Sequence, residues 1–473
     1  MQLLKPDICV IGGGSAGLSV AAGAAQLGAE TVLVEAGEMG GECLNYGCVP
    51  SKALLAAAKA AAQYRTAAEF GIDFSPMHVD RKRVQAHIAE VIAAIAPHDS
   101  VERFEGLGVT VLREWARFVD ARTVEAGDVR IAARRFVLAA GSTAFVPPIA
   151  GLEQVPYLTN ETVFEHVAEI RDLIVLGGGP IGVELAQAFA RLGAKVQLVE
   201  MARILPRDDA DAVELVRASL ERDGVALYEG STATEVRHAS GRIRLGIKTG
   251  DKTDWLEGVH LLVAVGRQPQ VEHLGLERAG IAATPKGIQV SRGLRTTNRR
   301  VYAIGDCTGG PAFTHVAGHQ AGLVIRSALF RLPVGFNTRA LPWVTYSDPE
   351  LAQIGLTEAA AQEKGGEVTI TRQPLTANDR ARAERHDEGF LKIISDRRGR
   401  ILGVTIVGAQ AGELLAPWCL AMARGLKLSA LAGAMLPYPT LSELSKRAAG
   451  QFYVPRLFSP ATQRLVRILR WFG

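Results

Sequence analysis

The sequence predicts an α/β fold built on two copies of a βαβ unit, with a separate α+β domain at the C-terminal end. Three observations carry that reading: two segments that share one strand–turn–helix–strand order, glycines that cluster in turns, and a change of pattern near Asn337. The first segment runs from Asp7-Ile-Cys-Val-Ile into Gly12-Gly-Gly14-Ser-Ala-Gly17, an alanine-rich stretch, and Thr31-Val-Leu-Val-Glu35. The second runs from Asp172-Leu-Ile-Val-Leu into Gly177-Gly-Gly179-Pro-Ile-Gly182, a helical stretch through Leu192, and Lys195-Val-Gln-Leu-Val-Glu200.

Each glycine of these turns has its own physical task. Gly12 and Gly177 make the tight turn, Gly14 and Gly179 let backbone approach a diphosphate, and Gly17 and Gly182 let helix pack on strand. The diphosphate then meets a helix N-terminus, where free N–H groups and the macrodipole favour an anion. Glu35 and Glu200, closing the second strands, accept hydrogen bonds from ribose hydroxyls. One such glycine pattern marks only a turn; two complete units in register predict two Rossmann-type domains that bind two dinucleotides, FAD and NAD(P).

With 473 residues, 48% of them hydrophobic and 22% charged, the chain has the balance of a globular protein of about three domains. A net charge of +4 spread along the chain gives no case for nucleic-acid binding. No segment reads as a membrane span, and the N-terminus runs into a strand without signal-peptide architecture, so a cytoplasmic location is expected. Five cysteines are too few and scattered for a disulfide framework. Helical stretches are expected around 51–70 and 80–105. A strand-rich stretch should follow to Gly141-Ser142, with further strands to Val265-Gly266-Arg267 and an apolar strand ending in Gly305-Asp306.

One close cysteine pair stands out, in Gly40-Gly41-Glu42-Cys43-Leu44-Asn45-Tyr46-Gly47-Cys48-Val49-Pro50-Ser51-Lys52. Four intervening residues close a small loop, and Pro50 suits the first turn of a helix. Cys48 is thereby expected near a helix N-terminus and near Lys52, both of which favour a thiolate. Zinc would require further Cys or His at metal spacing, which the segment lacks, so no metal site is assigned. An inert buried pair would not require the surrounding Gly, Pro and Lys. His315 and His319, four apart, are read as structural.

This segment resembles the redox signature of the class I pyridine nucleotide-disulfide oxidoreductases, which include dihydrolipoamide dehydrogenase, glutathione reductase and mercuric reductase. Motifs similar to the family's occur in order from Gly12 to Glu443. The resemblance implies that Cys43 is the interchange thiol that meets substrate and Cys48 the charge-transfer thiol facing the flavin. Lys52 would pair with Glu184 near the flavin, Asp306 would bond its ribitol, and Glu35 the adenosine ribose. Gly41 and Gly141 join the FAD contacts, and Gly266 the nucleotide contacts. The implied domains are an FAD domain at 1–149 completed by a central segment at 271–336, an NAD(P) domain at 150–270, and a dimerisation domain at 337–473. A homodimer is implied, each active site borrowing C-terminal residues from its partner.

Two features depart from the family or leave it open. Where the disulfide-reducing members carry His-Pro-Thr-x-x-Glu, this chain reads Tyr438-Pro439-Thr440-Leu441-Ser442-Glu443, and a phenol is a poor base at neutral pH. Tyr also occurs near this position in mercuric reductase, but no cysteine follows Cys419 here. The substrate is therefore expected to be a small disulfide or dithiol, a lipoyl group carried on another protein, or a thiophilic metal. A quinone or transhydrogenase-type reaction with idle cysteines is the alternative. Glu200 favours NADH, although Arg203 and Arg207 lie near enough in sequence to serve a phosphate. Finally, the tail Arg464-Leu-Val-Arg467-Ile-Leu-Arg470-Trp471-Phe472 repeats Arg every third residue. It is read first as a helix packed within the dimer, with a membrane-surface helix as the other reading.

Overall fold

The computed structural model describes residues 1–73 and 77–472. Residues 1–201 with 226–337 form one compact unit, and 202–225 with 338–473 a second. The first begins with β1 (Ile8–Ile11), α1 (Ser15–Gln26), β2 (Thr31–Val34), α2 (Cys48–Thr66), β3 (Val109–Leu112) and β4 (Arg135–Leu138). The second βαβ unit follows as β5 (Asp172–Leu176), α3 (Pro180–Arg191) and β6 (Lys195–Val199). After α4 (Ala210–Arg222), which belongs to the other unit, come β7 (His260–Val263), β8 (Val301–Ala303) and α5 (Thr314–Ala328).

The strands assemble into parallel sheets because both faces of each are apolar and covered. One sheet has the order β8-β4-β1-β2-β3; in the other, β5 lies between β6 and β7. The two-residue period of β1 and β2 divides their side chains between two cores. Ile8, Val10 and Leu33 enter one cluster with Val20, Tyr302 and Val324. Cys9, Ile11, Val32 and Val34 enter the other with Phe118, Phe136 and Val301. Each fully buried aliphatic side chain contributes about 1.5–3 kcal/mol. Together they hold the strand ends, and hence the glycine turns, in fixed register.

The second unit is the α+β domain expected from Asn337 onward. Its five strands β9 (Pro342–Thr345), β10 (Glu350–Gly355), β11 (Val368–Pro374), β12 (Phe390–Asp396) and β13 (Ile401–Gly408) form an antiparallel sheet in the order β9-β10-β13-β12-β11. Helix α6 (Glu443–Gln451) closes its core, where Trp418 Nε1 donates to Ser445 Oγ at 3.0 Å. Helix α7 (Pro460–Leu469) ends the chain.

The segment 202–225, expected inside the continuous stretch 150–270, packs with the C-terminal domain. The cause is electrostatic as well as apolar. Lys392, 3% exposed, reaches Asp209 and Asp211 at 2.9 Å and Glu358 at 2.7 Å. Trp343 Nε1 donates to Asp208 Oδ1 at 2.7 Å. Val213, Val216 and Leu220, on one face of α4, are buried.

Candidate active site

The two glycine turns have the same construction. Gly12 and Gly177 adopt φ of +110° and +113°, and a Cβ on either would lie 2.2 or 2.4 Å from the carbonyl oxygen of Ala139 or Ala264. A Cβ on Gly17 or Gly182 would lie 1.8 or 1.9 Å from the carbonyl oxygen of Gly12 or Gly177, so α1 and α3 start in direct contact with the turn. At Gly14 and Gly179 there is no such collision: the nearest atom to a Cβ on Gly14 is 3.8 Å away, and none lies within 4 Å at Gly179. Neither helix has a side-chain N-cap. Free first-turn amides beside an uncrowded glycine fit a diphosphate. Glu35 accepts from the Gly13 and Gly37 amides, and Glu200 Oε2 from the Gly178 amide at 2.7 Å, so each acid is fixed against its turn.

The cysteine segment docks on the first of these turns. The Gly40 amide donates to the Gly13 carbonyl at 2.9 Å, and a Cβ on Gly41 would lie 2.7 Å from Gly14 Cα. Cys43 lies in a short helix, Gly41–Asn45, and Cys48 opens α2 with Pro50 in its first turn. Lys52, one turn further along, pairs with Glu184 of α3 at 2.8 Å. Both cysteines are free thiols here.

The surroundings divide the two sulfurs into a thiolate and a thiol. Cys48 is pushed down to about 6, first by the hydrogen bond from Cys43. Burial opposes this, while Thr314, whose Oγ1 is 3.5 Å from Cys48 Sγ, and the Lys52 charge add to it. Although Cys48 touches solvent, protein crowds enough of it for desolvation still to oppose its charge. Cys43 moves upward, because it donates to Cys48 and is itself partly desolvated. Burial also pushes the thiols of Cys9, Cys307 and Cys419 up, Cys307 to about 11.

Beside the cysteines lies a polar network that the sequence reading did not single out. Arg267 pairs with Glu42 at 2.5 Å, donates through Nε to Ser142 Oγ at 2.8 Å, and lies 3.8 Å from Asp306 Oδ2. Ser142 Oγ in turn donates to Asp306 Oδ2 at 2.6 Å, and Asn160 Nδ2 donates to Glu42 Oε1 at 2.9 Å. Burial pushes Glu42 up to about 7 against the pull of Arg267. Gly141 and Gly266 flank the antiparallel pairing of 142–144 with 267–269 that brings Ser142 and Arg267 together. The one available signal was Glu42 itself, the lone acid of the cysteine segment. Arg267, Ser142, Asn160 and Thr314 are remote in sequence and carry none.

In the second unit the Tyr438 hydroxyl donates to Asp379 Oδ2 at 2.9 Å, which raises the phenol further. Glu443, the carboxylate the family pattern would turn toward residue 438, instead has Arg447 at 3.9 Å. Asp379 captures the hydroxyl because it stands nearby at the start of the short helix Asp379–Ala383. His315 stacks on Phe313 at 5.2 Å and His319 packs by Phe336 at 6.2 Å. Among the described residues there is no cluster of three or more His, Cys, Asp or Glu able to hold a metal, and no helix long and apolar enough to cross a membrane.

Comparison with known proteins agrees with this geometry. Residues 6–321 match the family described as pyridine nucleotide-disulphide oxidoreductase, and residues 341–449 match that family's dimerisation domain. A mercuric reductase of Bacillus cereus is 34% identical over 449 residues, covering 94% of this chain and 71% of that protein. A dihydrolipoyl dehydrogenase of Thermus scotoductus is 36% identical over 461 residues, covering 94% and 96%. The Cu(II) complex of the HOCl-induced flavoprotein disulfide reductase RclA from Escherichia coli superposes with a TM-score of 0.83 at 27% identity, over 93% of this chain and 98% of that one. The chain belongs to the pyridine nucleotide-disulphide oxidoreductase family: it is an FAD-dependent, nicotinamide-linked oxidoreductase that handles a disulfide and carries the family's dimerisation domain.

Proposed function

Starting from that membership, we propose that the protein uses NADH to reduce a small disulfide or other thiophilic acceptor at Cys43, through a reversible Cys43–Cys48 disulfide. The observation that carries this reading is the placing of Cys48 at the start of α2, 3.5 Å from the Thr314 hydroxyl and one turn before Lys52, which favours a Cys48 thiolate beside a Cys43 thiol. Gly12, Gly14, Gly17, Glu35, Gly41, Lys52, Gly141 and Asp306 would hold FAD, and Gly177, Gly179, Gly182, Glu200 and Gly266 the nicotinamide nucleotide. Bound FAD supplies two-electron transfer between nicotinamide and disulfide.

The cysteine chemistry balances on this chain's own atoms. Two electrons and one proton break the Cys43–Cys48 bond and leave a Cys43 thiol and a Cys48 thiolate. Once Cys43 gives up its proton, its sulfur attacks the acceptor disulfide, forming a mixed disulfide and releasing one acceptor thiolate. The Cys48 thiolate then attacks Cys43 Sγ, re-forms the internal bond and releases the second. Lys52 and the Thr314 hydroxyl stabilise the Cys48 charge between these events. Glu42, held near neutrality and in the field of Cys48, has the pKa of a group that exchanges protons under working conditions. The Tyr438 phenol keeps its proton at neutral pH, held by Asp379, so its role is to position the acceptor or a thiol through its hydroxyl oxygen and not to act as a base.

NADH is preferred over NADPH because the Glu200 carboxylate would repel a 2′-phosphate. In keeping with this, Arg203 Nη2 is committed to the Pro206 and Asp208 carbonyls at 3.3 and 2.9 Å. A second reading, reduction of a thiophilic metal ion, is favoured by the likeness to mercuric reductase and to the Cu(II)-bound flavoprotein. It would have to proceed without a cysteine pair beyond Cys419. The deciding experiment is NADH oxidation against lipoamide, glutathione disulfide, Hg(II), Cu(II), a quinone and oxygen. Disulfide turnover that vanishes in Cys43→Ser supports the proposal. Turnover unchanged in a Cys43→Ser/Cys48→Ser double variant means the cysteines are idle and refutes it.

A further inference from the structure

The chain continues past the matched dimerisation domain, which ends at residue 449, into a segment of distinct chemistry. From Phe452 to the C-terminus it holds four arginines and no acidic residue. Its root is fixed: Phe452 is in the domain core, and Arg456 Nη2 donates to the Arg397 carbonyl at 2.7 Å. Ser459 then caps α7, its Oγ accepting from the Thr462 amide at 3.2 Å.

Beyond that cap, among the described residues, none of the helix's side chains is buried, and its bonds to the rest of the chain are confined to its first turn, where Thr462 and Gln463 donate to the Arg456 and Phe458 carbonyls. Helical spacing places Leu465, Ile468, Leu469 and Phe472 on one face, each more than half exposed. Arg467 and Arg470 lie on the opposite side with Gln463, and Arg464 at the boundary between the two. Trp471, 89% exposed, stands beside the arginines at the tip. Exposed leucine and aromatic side chains on one face and arginine as the sole charge around the rest match an interfacial helix, and ten residues cannot span a bilayer.

We propose that α7 and its Trp471-Phe472 tip lie in the surface of an anionic phospholipid bilayer, docking the enzyme on the membrane. Charge selects this occupant. A second copy of the same face would leave the flanking arginines with no acid to answer them, whereas phosphate headgroups supply the opposite charge on either side of the apolar face. An apolar face of four large side chains has no counterpart on a nucleic-acid backbone but fits the acyl boundary. Each homodimer carries two such helices, so that modest individual affinities combine.

The test is co-sedimentation of the full-length, flavin-loaded dimer with vesicles of phosphatidylglycerol and phosphatidylcholine, and with vesicles of phosphatidylcholine alone. The protein should pellet with the anionic vesicles, far less with the neutral ones, and progressively less as salt is raised. Each arginine near such a surface strengthens binding about fivefold, so R464Q/R467Q/R470Q should weaken it roughly a hundredfold. L465D/L469D should abolish it while flavin content, dimer mass and NADH response stay as in the parent. Full-length protein that stays in the supernatant with anionic vesicles overturns the proposal. So does L465D/L469D protein that becomes monomeric, because the apolar face would then belong to the partner copy.

Discussion

Replacing Cys43 by alanine tests the division of charge on which the cysteine chemistry depends. In the reduced protein the Cys43 thiol is the leading cause that brings Cys48 from 9.0 down to about 6. At pH 7 a thiol of pKa about 6 is about nine-tenths ionised, and one of pKa 9 about one-hundredth. Alkylation rates at that pH understate the difference. Nucleophilicity falls with pKa, with a Brønsted slope of about 0.4–0.5, so a roughly ninetyfold change in thiolate would appear as only about a fourfold change in rate. The midpoint of the pH profile is the better measure. Cys48 of the reduced wild type, followed by iodoacetamide labelling and mass spectrometry, should lose reactivity as pH falls through about 6. In Cys43→Ala the midpoint should rise, since burial is then opposed only by Thr314 and Lys52. Cys43→Ser, which keeps a donor, should remain closer to wild type. A midpoint of about 6 that Cys43→Ala leaves unmoved would refute the hydrogen bond as its cause.

Other consequences can be checked separately. Gly182→Ala places a methyl group where the Gly177 carbonyl lies, so the protein should keep its yellow flavin yet no longer be bleached by NADH, while Gly17→Ala should lose the flavin itself; absorbance spectra with and without NADH read both. Lys392→Met leaves the buried Asp209 carboxylate without its cation and should cost about 3–5 kcal/mol, measured by urea unfolding. Tyr438→His, by restoring a base that titrates near neutrality, should raise lipoamide turnover; no gain counts against a positioning role for the tyrosine. NADH should exceed NADPH in kcat/KM, and the reverse order would show that Glu200 does not set the preference.

The sequence by itself determined whatever local chemistry can state. Two glycine turns with an acid one strand later define nucleotide sites because each glycine has a steric reason to be there. The Cys43–Cys48 spacing, Pro50 and Lys52 place a thiol at a helix start because all lie within one short segment. The change of pattern near Asn337 marked the α+β domain for the same reason. Contacts between distant segments were decided only in three dimensions. Arg267 meets Glu42 across 225 positions and Thr314 meets Cys48 across 266, and no spacing rule reaches so far. The packing of 202–225 against the C-terminal strands depended on one buried lysine collecting three carboxylates. Tyr438 was expected from sequence to stand where the family pattern has histidine, but that its hydroxyl turns to Asp379 depended on where a separate short helix starts. Hydrophobic period and turn chemistry are read over a few residues, whereas ion pairs and desolvation depend on neighbours that only the folded chain supplies.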